Sequence, residues 1–308
     1  MNEIITEAQD IDVGRTWVQA PDWGVVSLQG EDAEKFLQGQ GTADLGRLQA
    51  GHSLPYATLS LKGRVMELMH LLPYEAGILL LMPRACIASY LQRMRPYIAF
   101  SRAQLQDVSA SWQVGLSLHE HDAGKPLHQL ESHGPARATW LDGRHRLWAV
   151  PRELSVSSPS LPAERFVGAF IEMGRAIISP PLQDRYLPQM LHLQVLEGLS
   201  FEKGCYTGQE VVARAWFRGQ IKQSLCRLQG IAEGESSVGA SIFLAEGSQL
   251  QPVGEILQTL VDGKSIDLLA VLRHDARQGR LLLQSSTHEL RQIDLPYAIT
   301  QFDHQHTR

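Results

Sequence analysis

The sequence predicts an α+β protein that ends in a β-barrel, on two observations. Between residues 24 and 94 the pattern runs strand, helix, strand, strand, helix. That is the order of an antiparallel-sheet α+β unit rather than a doubly wound parallel one. From Leu225 onwards, short apolar runs recur at even spacing, punctuated by glycine and aspartate, as in a small all-β barrel or sandwich. With 308 residues, 44% hydrophobic and 20% charged, the chain can build a sizeable core and two or three compact units.

Each element has its own warrant. Residues 24–28 read as a strand, and 32–38 as a short helix that Gly39 stops in a left-handed conformation. Strands over 65–72 and 77–82 flank a turn at 73–77. Pro83 opens a helix whose apolar positions Cys86, Ile87, Tyr90, Leu91 and Met94 recur at helical spacing. The polar stretch 119–137 reads as a surface excursion, and 155–160 as a loop before a helix over 162–173. Barrel strands are placed at 225–228, 242–244, 253–260, 268–272 and 281–283. Their turns rest on glycine and aspartate because Asn2 is the only asparagine.

Charge and cysteine usage exclude several classes. A net charge of −5 argues against a surface coated for nucleic acid, which needs clustered Lys and Arg. Cys86, Cys205 and Cys226 lie far apart with no CxxC, so no disulfide framework, self-contained zinc site or four-thiolate cluster is expected. The acidic start lacks an apolar signal region, and the most apolar stretch, 68–88, is broken by Pro73, Glu75, Pro83 and Arg84. A reducing, cytoplasmic setting without membrane contact is the expectation. Familiar motifs fail in turn. Gly39-Gln40-Gly41 follows a helix and meets Asp44 where a dinucleotide fingerprint needs glycine, and Gly263-Lys264-Ser265 reads as a hairpin turn. His119-Glu120-His121 lacks zinc-protease spacing, and there is no GxSxG elbow.

The segment 201–219 carries the chemistry. Thr207 and Glu210 have the spacing of a capping box at a helix start, Val211, Val212, Ala215 and Trp216 form its apolar side, and Gly219 stops it. Cys205 would then sit two residues before the N-cap, where the helix dipole and the Lys203 cation both favour a thiolate. Gly204 and Gly208 permit unusual torsions or close approach of a ligand. Lys203, Arg214, Arg218 and Lys222 outnumber Glu202 and Glu210, so the segment reads either as a solvated helix face or as a site for an anionic ligand. Cys86 and Cys226 read as structural.

KGCYTGQE at 203–210, followed by VVAR and FRG, resembles the signature of the YgfZ family. GEDAEKFLQGQGTAD at 30–44, LSLKGRVMEL at 59–68, Ile171-Glu172-Met173-Gly174, LPQMLHLQ at 187–194 and Leu295-Pro296-Tyr297 extend the resemblance over essentially the whole chain. Through its likeness to the glycine-cleavage T-protein, the family implies a multidomain ring around a folate pocket. The divisions would be a ferredoxin-like α+β domain over 1–105, a second α+β domain over 106–222 carrying the motif, and a barrel over 223–308. The resemblance implies tetrahydrofolate or a derivative as cofactor. It assigns Trp23, Phe166 and Glu172 to folate, Phe166 standing where the family has a second tryptophan. It makes Cys205 the reactive thiol, with Lys203, Gly204, Tyr206, Gly208, Gln209, Glu210 and Arg214 in support, and no metal site. His192 replaces a frequent asparagine. Leu68 falls on the T-protein's catalytic aspartate with Glu67 beside it, and leucine moves no proton.

The leading expectation is therefore a folate-binding accessory protein for iron–sulfur cluster assembly or repair, supporting tRNA modification indirectly. Its partners would be iron–sulfur client or assembly proteins, with no direct nucleic acid. A folate-dependent one-carbon transferase would instead need a carboxylate at the hairpin, and a direct tRNA binder would need Arg214, Arg218 and Lys222 on phosphate.

Overall fold

The computed structural model describes residues 10–120, 124–219, 221–247 and 249–299. Two units emerge: Met1–Phe36 with Leu45–Leu54 and Met69–Phe166, and Leu37–Asp44 with Pro55–Leu68 and Val167–Arg308.

In the first unit, strand Trp23–Gln29 is flanked antiparallel by Gly77–Pro83 and Gln104–Asp107. Residues 70–74 pair with 77–81 across the predicted turn. Helix α1 (Ala33–Gln40) begins in this unit and leads into the second. Helix α2 (Arg84–Ile98) covers the sheet with Cys86, Ile87, Tyr90 and Met94, four of the five positions expected from its spacing. Gly24 lets it approach: a Cβ there would lie 2.6 Å from Ile87 Cδ1. A second, six-stranded sheet runs in the order Ser160–Leu161, Trp17–Gln19, Trp112–Leu118, His145–Pro151, Ala136–Trp140, Leu130–His133. Ile11, Val13, Trp17, Trp148 and Val150 form a core on it. The stretch 119–137 is thus not a surface excursion. Its later part supplies two strands, His128 is fully buried, and Glu131 enters the sheet paired with Arg146 at 2.8 Å, which offsets the cost of drawing its charge inward. His121 lies outside the described residues.

The second unit holds a closed six-stranded barrel, and every predicted barrel run is one of its strands. Gly263, at φ 59°, makes the hairpin turn between Gln249–Asp262 and Ser265–Arg273. The sixth strand, Glu289–Ile293, had no sequence signal because four of its five residues are charged, polar or only half-buried. Cys226, Leu228, Ile266, Leu268, Ala270 and Leu272 fill the barrel interior. Leu225, Leu269 and Val271 alternate with them and join a second core with Ile171, Ile178, Leu191, Tyr206 and Val212. A barrel wall covered on its outside must be apolar on both faces, hence the unbroken run 268–272.

Helix α1 does not stop at Gly39. It continues to Gln40, and the chain leaves it at Gly41, which bridges to Thr58 and where a Cβ would lie 2.3 Å from the Tyr56 ring. The glycine that matters there makes room for a neighbour rather than for a left-handed turn. Helix α3 (Glu164–Glu172) forms where expected. Among the described residues no helix is long and apolar enough to cross a membrane.

Candidate functional site

Within the second unit, the motif segment is built onto residues 41–44. Thr42 is the pivot: its Oγ1 donates to Gly198 O at 2.6 Å and accepts from Ala57 N at 3.1 Å, while its carbonyl accepts from Ser200 N at 2.9 Å. Lys203 then reaches back, and its Nζ donates to Gly41 O and Ala43 O, both at 2.7 Å, while lying 5.1 Å from the Tyr206 ring centroid. Lys203 is only 7% exposed, and burial pulls its ammonium down to about 8 against the opposing effect of Asp44. The end of one conspicuous sequence stretch, residues 41–43, and the start of the other, Lys203, therefore meet in one clamp. This corrects the expectation for Lys203, whose charge is spent on carbonyls rather than offered to the thiol.

Helix α4 (Gln209–Phe217) follows, and its start also differs from expectation. The N-cap is Gly208, at φ 80° and without a side-chain cap hydrogen bond, so Thr207 and Glu210 form no capping box. Packing decides this. A Cβ on Gly208 would lie 2.7 Å from Ser60 O and 3.0 Å from Gly63 Cα, a gap only glycine can enter, and the helix starts beyond it. Gln209 Oε1 accepts from Tyr206 N at 3.3 Å, and Gln189 Nε2 donates to Val212 O at 2.8 Å. Cys205 is exposed, three residues before the N-cap, and Gly204 has open space around it. Cys86 and Cys226 are buried, and burial pushes the Cys226 thiol up to about 12. Gly219 follows the helix, whose C-cap is Arg218.

The hairpin carboxylate is held as well. Glu67 is fully buried, accepting from Thr58 Oγ1 on one oxygen and from Gln183 Nε2, at 3.1 Å, on the other. Leu68 points to the opposite side of the strand, as alternation requires, so a one-residue shift of alignment would exchange faces as well as side chains.

His192 sits at φ 57°, a left-handed position that asparagine and histidine tolerate better than most residues. In a chain whose only asparagine is Asn2, histidine takes this turn. Tyr297 OH donates to Gly174 O at 2.8 Å, which makes His192 Nδ1, 3.2 Å away, the donor to the phenol oxygen. Burial, with Arg277 and His274 nearby, pulls His192 down to about 4. The sequence pattern did not single out this latch of 174, 192 and 297 as a unit.

The residues assigned to folate are described separately in the two units. In the first, Trp23 and Phe166 are 6% and 2% exposed and meet edge to face with centroids 5.2 Å apart. In the second, Glu172 ends α3, half-buried, with its charge acting on Arg227, which is paired with Asp267 at 2.6 Å. Glu172 accepts no hydrogen bond among the described residues, so its oxygens keep acceptor capacity.

The fold is that of the aminomethyltransferases. The solved aminomethyltransferase T of the glycine cleavage system from Bartonella henselae superposes with a TM-score of 0.68, covering 90% of this chain and 84% of that one, at 13% identity. The tRNA-modifying protein YgfZ of Edwardsiella ictaluri is 31% identical over 93% of both chains, and that of Cronobacter sakazakii 30% identical over 92% of this chain and 93% of the relative. The chain belongs to the YgfZ family. No family model matches it.

Proposed function

We propose that the protein is a cytoplasmic, folate-binding accessory factor that supports iron–sulfur cluster assembly or repair and thereby tRNA modification. Kinship with proteins named as tRNA-modifying carries the last part of this reading, and the fold shared with a glycine-cleavage aminomethyltransferase supports the folate part. The observation that carries most weight is the exposed Cys205 on a backbone clamped by Lys203 and Gly208. Free cysteine is among the most buried of residue types, and an exposed thiol on a rigid support is suited to reaction or contact with a partner.

Tetrahydrofolate or a derivative is the cofactor that the family resemblance implies. In the second unit the unfilled oxygens of Glu172 would accept from the amino and ring N–H groups of a pterin, and in the first the buried pair Trp23 and Phe166 would contribute its apolar rings. Folate-dependent aminomethyl transfer has less support. The resemblance places Leu68 at the position of the proton-handling aspartate, and Glu67, which a one-residue slip would place there, already has both oxygens serving Thr58 and Gln183. Direct tRNA binding is disfavoured by the net charge of −5.

Anaerobic titration with tetrahydrofolate, read by tryptophan fluorescence and calorimetry, tests the pocket. Saturable binding that weakens at least ten-fold in Trp23→Ala is expected, and no binding by a folded sample would overturn the folate reading. In a strain lacking the native gene, Cys205→Ala should fail to restore cluster-enzyme activity; full restoration would remove the thiol from the function.

A further inference from the structure

The outward side of the motif segment keeps apolar groups exposed beyond what its packing uses. Helix α4 lays Val212 into the core and turns Glu210, Val211, Arg214, Phe217 and Arg218 to solvent. Val211 and Phe217 are 38% and 54% exposed, and Leu61, at the tip of the neighbouring hairpin, is 85% exposed. Tip and helix start are interlocked. A Cβ on Gly63, at φ 69°, would lie 2.9 Å from Val211 Cβ, and Gly208 abuts Gly63 in turn. At the other end of the helix, Phe201 stacks on Trp216 with centroids 4.8 Å apart and meets Phe217 edge-on at 5.9 Å. The exposed apolar groups therefore stand on a braced support, which limits the ordering cost of binding.

Charge surrounds them. Lys62, Arg214 and Arg218 are exposed and form no ion pair among the described residues, and Glu210 is the one acid on the helix face. This positive rim belongs to a chain of net charge −5, so it is a local feature rather than a general one. Phenylalanine and arginine are enriched in protein interfaces, and exposed aliphatic groups such as Leu61 and Val211 serve apolar contact, whereas single-strand nucleic-acid grooves pair cations with aromatic stacking platforms.

We infer that this face, formed by α4 and the Leu61–Lys62 tip, docks a protein partner that presents an apolar ridge flanked by carboxylates. Docking there would bring the partner to the neighbourhood of the Cys205 thiol. The inference deepens the accessory reading by naming the partner's chemistry, and it stands without the folate pocket.

The test places p-benzoylphenylalanine at position 217 of the full chain in living cells, with ultraviolet cross-linking and sequencing of the attached peptide. A discrete protein adduct is expected, with Asp or Glu within a turn of apolar residues in the cross-linked peptide. Its yield should fall at least ten-fold when Lys62→Glu and Arg218→Glu are combined. Adducts to RNA, to a second copy of this chain or to peptides without acidic flanks, an adduct indifferent to the charge reversals, or no adduct at all, would each overturn the inference. Tetrahydrofolate titration of the same double variant separates the two readings. Unchanged folate affinity with a lost adduct locates the loss in the docking face, while a retained adduct on a protein that binds no folate would overturn only the folate reading.

Discussion

Lys203 and Cys205 stand two residues apart in one loop and face opposite environments. Inward, Lys203 and Tyr206 are 7% exposed each, the lysine tying down the carbonyls of Gly41 and Ala43. Outward, Cys205, Val211, Arg214, Phe217 and Arg218 are exposed, and no described residue ion-pairs with either arginine. The same run of sequence thus contains residues that hold and residues that are held out. A lysine beside a cysteine suggests thiolate chemistry when read along the chain. In space, the lysine is a structural strut for the loop that carries Cys205.

The comparison breaks most visibly at the strut. Lys203→Met should leave the Gly41 and Ala43 carbonyls without their donor and cost about 2–4 kcal/mol, the range for stripping charge-assisted hydrogen bonds from buried groups. Chemical denaturation would read this, with faster amide exchange in residues 41–44 as the local sign. Cys205→Ser should leave the same curve unchanged. Equal losses in the two variants would erase the distinction.

Gly208→Ala comes next. The left-handed backbone and the close approach to Ser60 O together should cost about 2 kcal/mol. Expected is a lowered melting temperature with Cys205 more reactive towards a maleimide probe, because the loop is released. A silent substitution would mean that hairpin and helix are not interlocked.

The His192 latch gives a pH dependence inside the same unit. Its folded pKa, about 4, lies below the usual 6.5, so the unfolded chain binds more protons between these values. The stability this site contributes is present above about pH 6.5 and falls as the solution is acidified towards pH 4. The slope is about 1.4 kcal/mol per pH unit at most. His192→Asn keeps the left-handed preference and should flatten the slope, measured as melting temperature against pH.

The smallest effect is the most diagnostic for the helix start. Were Thr207 the N-cap, Thr207→Ala would cost about 1 kcal/mol. With Gly208 in that place the expected change is within about 0.5 kcal/mol, as for an ordinary surface substitution.

Much of this was legible along the chain. Apolar spacing located α2, a helical run after the loop at 155–160 located α3, and five of the six barrel strands followed from short apolar runs bounded by glycine and aspartate. The motif at 203–210 stood out from its residue types alone. Where local reading failed, a distant neighbour decided the matter. Gly39 carries a stop signal, but the room made for Tyr56 falls at Gly41. Thr207 and Glu210 have cap spacing, but Ser60 and Gly63 leave space only for Gly208. The stretch 119–137 is polar enough for a loop, yet Arg146 recruits Glu131 into a sheet.

By itself, then, the sequence determined the elements, the barrel and which segment to watch, because periodicity and turn chemistry act between residues a few positions apart. Only the tertiary structure decided which side of that segment is buried. Lys203 meets its partners some 160 residues back along the chain, a separation no local pattern encodes. Burial of its charge is tolerable only where those carbonyls wait for it.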